Sequence, residues 1–386
     1  MASPGEQVAI IGGGVVGCAL AHELTLRGVP ALLLEAEDEL ALGASGANSG
    51  IVHTGFDSKP GELETDLILR AAELRRERPA PLGVPLVRCG ARVRAHEPGR
   101  EAAVEELAAN AARNGVEVHA VGAGELHVPG EAITDPAAYA RALAAAAAAG
   151  GATVRTAARV SALSADRAGG VSVELANGER LRVRAAANCA GLRADEVAAG
   201  AGEQPFALYP RKGEFLVFEQ PADAPLEEIL LPLPSAAGKG VLVFPTVDGH
   251  VIAGPTARDR ADKSDRAAEP DAAELILERA RHSFPALEGA QPIAVYAGLR
   301  PAGRDGANYL LLHSGTVPAL VHAGAIRSTG LTAAPAIAER LAQMLASTGA
   351  IELGPPRELP APAHSGHVEP WWQRAARISA EAGAQP

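Results

Sequence analysis

The sequence predicts an α/β fold in two parts: a βαβ unit that opens the chain, and a β-rich layer supplied by its middle. Three observations predict it. First, Val8 to Ile11 is fully apolar, as a parallel strand buried on both faces should be. Second, that run enters Gly12-Gly13-Gly14-Val15-Val16-Gly17, and a helical pattern follows through Cys18, Ala21, Leu24 and Leu26 until Arg27-Gly28 stops it. A second apolar strand, Ala31 to Leu34, then ends at Glu35. Third, several β-rich runs, including LVFE and VLVFP, lie between Phe206 and Gly254.

Each piece of the opening unit has a role in holding a dinucleotide. Gly12 permits the tight turn. Gly14 carries no side chain to keep a pyrophosphate off the backbone, and Gly17 lets the helix pack closely on the strand. The helix N-terminus offers free N–H groups and partial positive charge to phosphates. Glu35, at the end of the second strand, is placed to accept both ribose hydroxyl protons and would repel a 2′-phosphate, which counts against NADP. The motif does not choose between NAD and FAD.

Composition narrows the classes. With 386 residues, 47% hydrophobic and 21% charged, the chain is long enough for one large or two packed domains. A net charge of −11 argues against a general nucleic-acid or anionic-membrane binder, but not against a local cationic pocket. Cys18, Cys89 and Cys189 are far apart and form no CxxC, so a disulfide framework, zinc ribbon or iron–sulfur cluster is not expected. The opening MASPGEQ lacks the features of a signal peptide, and the alanine run Ala144 to Ala149 is too short to span a bilayer. A cytoplasmic protein without a transmembrane segment is the expectation.

Beyond the opening unit a simple NAD enzyme would continue with a helix and strand. Here a polar, glycine-rich loop follows instead, Gly43 to Gly55. Its small residues permit close backbone approach to a ligand, and Ser45, Asn48 and Ser49 can hydrogen-bond one. His53 ends the run between apolar residues and a glycine. It fits either a buried hydrogen-bonding histidine or a general base taking a hydroxyl proton as hydride leaves the same carbon. No second histidine lies at metal-ligand spacing, and no metal is expected.

The fingerprint, the loop ASGANSGIVHTG and the segments YPRKGEFLVF, GKGVLVFPTVDGHVIAGPT, AGLRP and IRSTGLTAAPAIAE resemble the compact FAD-dependent glycerol-3-phosphate oxidases and dehydrogenases. Those enzymes have the D-amino-acid-oxidase-like fold, and the pattern is related to that of L-2-hydroxyglutarate oxidases. The resemblance spans roughly residues 6 to 345. It implies FAD as cofactor and a Rossmann-like FAD-binding domain assembled from residues 6–80, 132–205 and 298–347. Residues 81–131 and 206–297 would form the antiparallel-sheet substrate domain, and 348–386 a Pro/Gly-rich tail.

The remaining elements follow in order. Gly61 to Arg78 reads as a helix, Val84 to Ala95 as a strand of the second layer and Glu101 to Asn114 as an exposed helix. Asp135 is placed as N-cap and Pro136 as first residue of a helix reaching Gly150. A strand is expected around Val154 to Val160, a hairpin over Val171 to Arg184 with an Asn177-Gly178 turn, and a buried strand over Ala186 to Gly191. By resemblance Val160 packs by the adenine, and Ala190 and Gly191 abut the FAD. The apolar strand Ile293 to Tyr296 precedes Gly298-Leu299-Arg300-Pro301, whose guanidinium reads as aimed into a pocket, where it gives bidentate contact to phosphate or carboxylate. Gly324 to Thr332 is a glycine-rich turn feeding a helix from Ala333 to Leu345, again an anion site.

The resemblance extends the cofactor set to Gly12, Gly14, Val16, Gly17, Glu35, Ala36, Ala44, Ser45, Asn48, Ser49, Arg327, Thr329, Gly330, Leu331 and Thr332. It implies substrate contacts at Ser49, Lys263, Arg300 and Ser328, and either Arg258 or Arg260 could serve in place of Lys263. The compact oxidases often carry Lys-Ser-Pro where this chain has Arg327-Ser328-Thr329, which keeps the cation and loosens the substrate assignment. The implied reaction is oxidation of a small anionic secondary alcohol, sn-glycerol 3-phosphate first, with His53 as base. An L-2-hydroxyglutarate-type hydroxy acid and, further off, an amine or amino acid are the rival substrates. The tail has no cysteine for an extra iron–sulfur-type domain, so oxygen or a diffusible acceptor is expected, and a homo-oligomer stays open.

Overall fold

Val8–Ile11, buried at every position, pairs in parallel with Ala31–Leu34 on one side and Ala185–Asn188 on the other. In a computed structural model that describes residues 5–78, 81–95, 99–122, 124–167, 169–233, 240–362 and 369–384, these strands form the centre of a six-stranded sheet. Its order is Leu310–His313, Leu320–Gly324, Ala185–Asn188, Val8–Ile11, Ala31–Leu34, Thr153–Arg155, and the Leu310 edge strand alone runs antiparallel to its neighbour. Parallel strands need crossovers, and helices then cover the faces, which is why these strands read as unbroken apolar runs.

Helix Val15–Leu26 makes the first crossover and packs against helices Pro136–Ala149 and Gly330–Ser347. The Pro136–Ala149 helix begins as its sequence indicates. Asp135 accepts the Ala138 N–H at 2.7 Å with Pro136 in the first turn, a cap worth about 1 kcal/mol. The alanine-rich face of that helix is buried, where small side chains permit close approach. No helix among the described residues is long and apolar enough to cross a membrane.

A nine-stranded sheet forms the second layer. Its spine is the antiparallel pair Leu208–Glu219 and Ala294–Gly303, matched over ten positions from Leu208↔Gly303 to Val217↔Ala294. Its inner face carries Phe215 and Tyr296, stacked with centroids 4.8 Å apart. Its other face packs on helix Pro270–Ser283 through Leu216, Phe218 and Ile276.

Four elements differ from expectation. The Val84–Ala95 stretch is two strands, Leu86–Arg88 and Ala91–Arg94, in different sheets. Gly90 turns the chain between them with φ +73°. The stretch around Val154 to Val160 is likewise divided: Thr153–Arg155 closes the six-stranded sheet, and Val160–Ala165 begins a separate three-stranded sheet with the hairpin Val171–Leu175 and Arg180–Val183. The strand expected over Ile293 to Tyr296 continues to Gly303, so Arg300 stands within it. The tail holds a helix, Trp371–Gly383, whose Trp371, Trp372, Ala375 and Ser379 are buried. Those spacings mark one helical face, and the Pro/Gly-rich stretch before it hid the periodicity. Residues 363–368 of that tail, Gly238-Lys239 at the start of the GKGVLVFP segment, and the expected domain limit at 80 lie outside the described residues.

Candidate active site

A cavity of about 1550 Å³ joins the two layers. Gly12, Gly14, Val16, Glu35 and Ala36 line it, as do Ala44, Ser45, Asn48, Ser49, Val160, Ala190 and Gly191. His53, Lys263, Arg300, Arg327, Ser328, Gly330 and Leu331 line the same cavity. An ordinary small-molecule pocket holds roughly 300–1,000 Å³, so the space suits an extended cofactor with a small substrate beside it.

The glycine turn is a cradle that side chains would fill. A Cβ on Gly12, whose φ is +106°, would lie 2.5 Å from the Cys189 carbonyl oxygen, and one on Gly17 only 1.9 Å from the Gly12 oxygen. Gly17 is therefore a packing residue behind the wall. Glu35 folds back over the turn: Oε2 accepts the Gly13 N–H at 2.6 Å and Oε1 the Glu37 N–H at 2.9 Å. Each oxygen keeps a second lone pair for a ribose hydroxyl. Helix Val15–Leu26 has no side-chain cap of its own, and Ser45 supplies one from the loop, its Oγ accepting the Val15 N–H at 2.9 Å. The residues at this end fit the adenosine and pyrophosphate of a dinucleotide.

The glycine-rich loop is held from two sides. A Cβ on Gly298 would lie 2.8 Å from the Ala47 oxygen, so the sheet strand passes directly over the loop. Trp371 Nε1 donates to the Asn48 carbonyl at 3.0 Å. Asn48 Oδ1 and Ser49 Oγ accept the N–H groups of Gly50 and Ile51 and shape the turn.

His53 is fixed at both backbone and ring. Its N–H donates to Thr332 Oγ1 at 3.0 Å, and its Nδ1 lies 2.9 Å from Glu131 Oε2. The other Glu131 oxygen accepts the Thr54 N–H at 2.7 Å and the Thr54 hydroxyl at 2.9 Å. Thr332 and Thr329 are thus buried supports behind the wall. Thr329 Oγ1 donates to Glu64 at 2.5 Å and contacts the Tyr309 hydroxyl at 2.7 Å. Glu64 also accepts from Asn308, whose Oδ1 receives Arg327 Nε at 3.2 Å. This network holds the loop before helix Gly330–Ser347, where Ala325 and Ser328 have φ of 55° and 56°. Such backbone is unfavourable for non-glycine residues and is kept only where surroundings impose it. The same support lets the helix start at Gly330, three residues before the expected Ala333.

Arg300 lies over a bare stretch of the opposite strand. A Cβ on Gly213 would sit 2.3 Å from its Nη2, so the guanidinium occupies the room that glycine leaves. Its hydrogen bonds go to two carbonyls, Arg211 O at 3.3 Å and Thr256 O at 3.2 Å, and no carboxylate pairs with it among the described residues. Burial first, then Arg211 and Arg327 nearby, push the guanidinium down to about 10, so it remains charged at neutral pH. A half-buried cation with other cations around it and no acid of its own among the described residues is available to an anion.

Lys263 differs. It reaches the wall, but its Nζ is 2.5 Å from Asp195 and 3.2 Å from Glu196. Two carboxylates take up its charge, and the cation beside Arg300 is Arg211, its cross-strand partner. Arg211 also lines the cavity, and its Nε meets the half-exposed Asp259 at 2.8 Å. Arg258 and Arg260, which precede Lys263 in the sequence, both pair with Glu269. Arg211, Gly213, Glu131 and Trp371 were not singled out from sequence. An interior strand glycine beside a basic pair was the available signal for Gly213, and an acid abutting the apolar Ala132-Ile133 for Glu131.

The chain is 29% identical over 354 residues to a glycerol 3-phosphate dehydrogenase of Caloramator mitchellensis, covering 86% of this chain and 72% of that protein. It is 28% identical over 368 residues to a glycerol 3-phosphate oxidase of Mycoplasma pneumoniae, covering 88% and 94%. The solved structure of dithionite-reduced L-α-glycerophosphate oxidase from Mycoplasma pneumoniae with FAD bound superposes with a TM-score of 0.82 at 26% identity, over 92% of this chain and 96% of that one. The model of the FAD dependent oxidoreductase family matches residues 7–344. With the glycine cradle, Glu35 and the loop over them, this places the chain in that family: it is an FAD dependent oxidoreductase.

Proposed function

We propose that the chain oxidises the secondary alcohol of sn-glycerol 3-phosphate to the ketone of dihydroxyacetone phosphate. The observation that carries this reading is a histidine and a carboxylate-free arginine opening onto one cavity. FAD, when bound, supplies the acceptor for the hydride that leaves the carbinol carbon. The Gly12–Gly14 turn and Glu35 hold its adenosine end. His53 takes the hydroxyl proton on Nε2, which leaves the carbonyl of the product. Arg300 and Arg211 hold the phosphate, and a dianion suits two adjacent guanidinium groups. Ser49 and Ser328, which line the same cavity, orient the glycerol hydroxyls. Relatives of both names, dehydrogenase and oxidase, support a small substrate, and the electron acceptor in this reading is oxygen or a diffusible carrier.

Anaerobic bleaching of the yellow holoprotein with glycerol 3-phosphate, 2-hydroxyglutarate, lactate and sarcosine tests the substrate, and peroxide release in air tests the acceptor. Glycerol 3-phosphate is expected to bleach fastest. His53→Ala is expected to keep FAD and to reduce about 10²–10⁴-fold more slowly, the range a positioned general base contributes. Bleaching by 2-hydroxyglutarate or sarcosine alone would replace the substrate named here.

A further inference from the structure

We propose that Glu131 is the positioning residue of the active site: it fixes the tautomer of His53, leaves Nε2 as the base, and balances the imidazolium formed when the substrate proton arrives. The role rests on the alcohol-oxidation reading above.

Glu131 is 0% exposed and is held by hydrogen bonds from neighbouring protein groups. Its carboxylate meets Thr54 twice through Oε1 and His53 Nδ1 once through Oε2. No lysine or arginine forms an ion pair with it among the described residues. A carboxylate only accepts, so the ring nitrogen it meets must carry the hydrogen. Nδ1–H therefore points at Glu131, and the lone pair is on Nε2. Because His53 lines the cavity and its Nδ1 side is taken, Nε2 is the nitrogen left for substrate.

The surroundings leave little freedom to this arrangement. Thr54, adjacent to His53, pins the carboxylate with both its N–H and its hydroxyl, so acid and ring are registered through one short stretch of backbone. Thr332, fully buried, holds the His53 N–H from the first turn of helix Gly330–Ser347. A buried carboxylate without a cation is costly, and a cation formed beside it offsets that cost. The proton moved to Nε2 during reaction creates that cation on a ring whose Nδ1 is 2.9 Å away. The carboxylate thus acts through the histidine and never touches the substrate.

Glu131→Gln reverses one hydrogen bond with almost no change of shape. The amide oxygen can still accept from Thr54, but the amide nitrogen now faces Nδ1 as a donor. The ring must turn over its tautomer, and Nε2 then carries hydrogen where a lone pair is needed. The test has two arms. In the first, Glu131→Gln, His53→Ala and the double variant are reduced anaerobically by glycerol 3-phosphate. The limiting reduction rate of Glu131→Gln is expected to fall about 10²–10⁴-fold. The substrate concentration for half-maximal rate should move by less than about threefold, with the flavin spectrum unchanged. Adding Glu131→Gln to His53→Ala should cost less than about a further threefold, because neighbours acting through one group are not additive. A Glu131→Gln enzyme as fast as the parent, or effects that multiply in the double variant, would overturn the proposal.

The second arm needs neither turnover nor a substrate: ¹⁵N-histidine spectra of the holoprotein, with the His53 signal identified by its loss in His53→Ala. Nδ1–H is expected in the parent and Nε2–H in Glu131→Gln. An Nε2–H parent overturns the proposal by itself. If no substrate bleaches the parent, the alcohol-oxidation reading fails, while these spectra still decide what Glu131 does to the ring.

Discussion

Gly213→Ala is the perturbation that isolates the anion site from the cofactor. The new Cβ would stand 2.3 Å from Arg300 Nη2, 2.7 Å from Cζ and 2.8 Å from Nη1. Ordinary contact begins near 3.4 Å, so the guanidinium must withdraw by about 1 Å. Strand backbone at Gly213 is not in the left-handed region, so alanine brings no strain of its own. The obstacle is the far end of a flexible side chain, which moves at little cost to folding. What it gives up is its pair of carbonyl contacts at 3.3 and 3.2 Å, and with them its aim. A charged hydrogen bond is worth about 1.5–3 kcal/mol, or roughly 10- to 100-fold in affinity. A misplacement of about 1 Å can cost the same factor in rate. We therefore expect the substrate concentration for half-maximal flavin reduction to rise about 10–100-fold, with the melting temperature and bound FAD near those of the parent. The assay is anaerobic stopped-flow, following the loss of oxidised-flavin absorbance across a substrate series. Unchanged affinity would show that Arg300 does not hold the anion, and loss of FAD alone would show that the strand serves the cofactor.

Two further outcomes separate roles that the sequence leaves mixed. Lys263→Ala should change the reduction rate and affinity by less than about threefold, because Asp195 and Glu196 already neutralise it, whereas Arg211→Ala should weaken glycerol 3-phosphate by about tenfold or more; the reverse ranking would restore the lysine as the substrate ligand. Acid stability should follow Glu269, whose carboxyl is held down to about 2, against an ordinary 4.5, by the hydrogen bond from Lys212, with Arg258 and Arg260 adding to it. A depressed carboxylate contributes stability above its unfolded value and loses it as the pH falls, here from about 4.5 towards 2. Unfolding midpoints of the parent and Glu269→Gln should differ at neutral pH and draw together across that window, and a gap that persists undiminished would refute the assignment.

What the sequence disclosed was local. Val8 to Glu35 carries strand, turn, helix and second strand within one short run, and the Asp135-Pro136 cap and the Asn177-Gly178 turn each declare themselves in two residues. His53 and Arg300 could be picked out because a histidine in a glycine loop and an arginine between glycine and proline are locally odd. Their partners could not. Glu131 is 78 positions from His53, and the Arg211 carbonyl that receives Arg300 is 89 positions away, so neither pairing leaves a spacing to read. Lys263 shows the converse. By local composition its charge was available, but Asp195, 68 positions earlier, is folded against it. Trp371 escaped for a third reason: the preceding proline-rich stretch suggested that regular structure had ended, and its helix draws its stability from contacts with Asn48 and the sheet.

Those distant contacts explain why so few residues suffice for the chemistry. His53 is anchored to the layer that holds the cofactor, through Thr332 and the loop it closes. Arg300 belongs to the opposite sheet. The distance between His53 and Arg300, the proposed base and anion ligand, is therefore set by how closely the two layers approach. Gly298 governs that approach by letting the sheet strand lie on Ala47, while Gly213, in the same sheet as Arg300, sets where the guanidinium lies within it. The charge distribution follows the same logic. The chain carries a net charge of −11, which repels a phosphate at a distance, so its whole-protein field does not attract the substrate. In the proposed reaction attraction comes at short range, chiefly from a guanidinium whose neighbours are carbonyls rather than acids. Lys263, Arg258 and Arg260 carry the same charge as Arg300, yet each already faces a carboxylate of its own chain. Selectivity in the proposed site therefore depends on cations that the fold leaves without an internal acid among the described residues, and Arg300 is one of them because Gly213 gives it room among carbonyls, with Arg327 on Asn308 another.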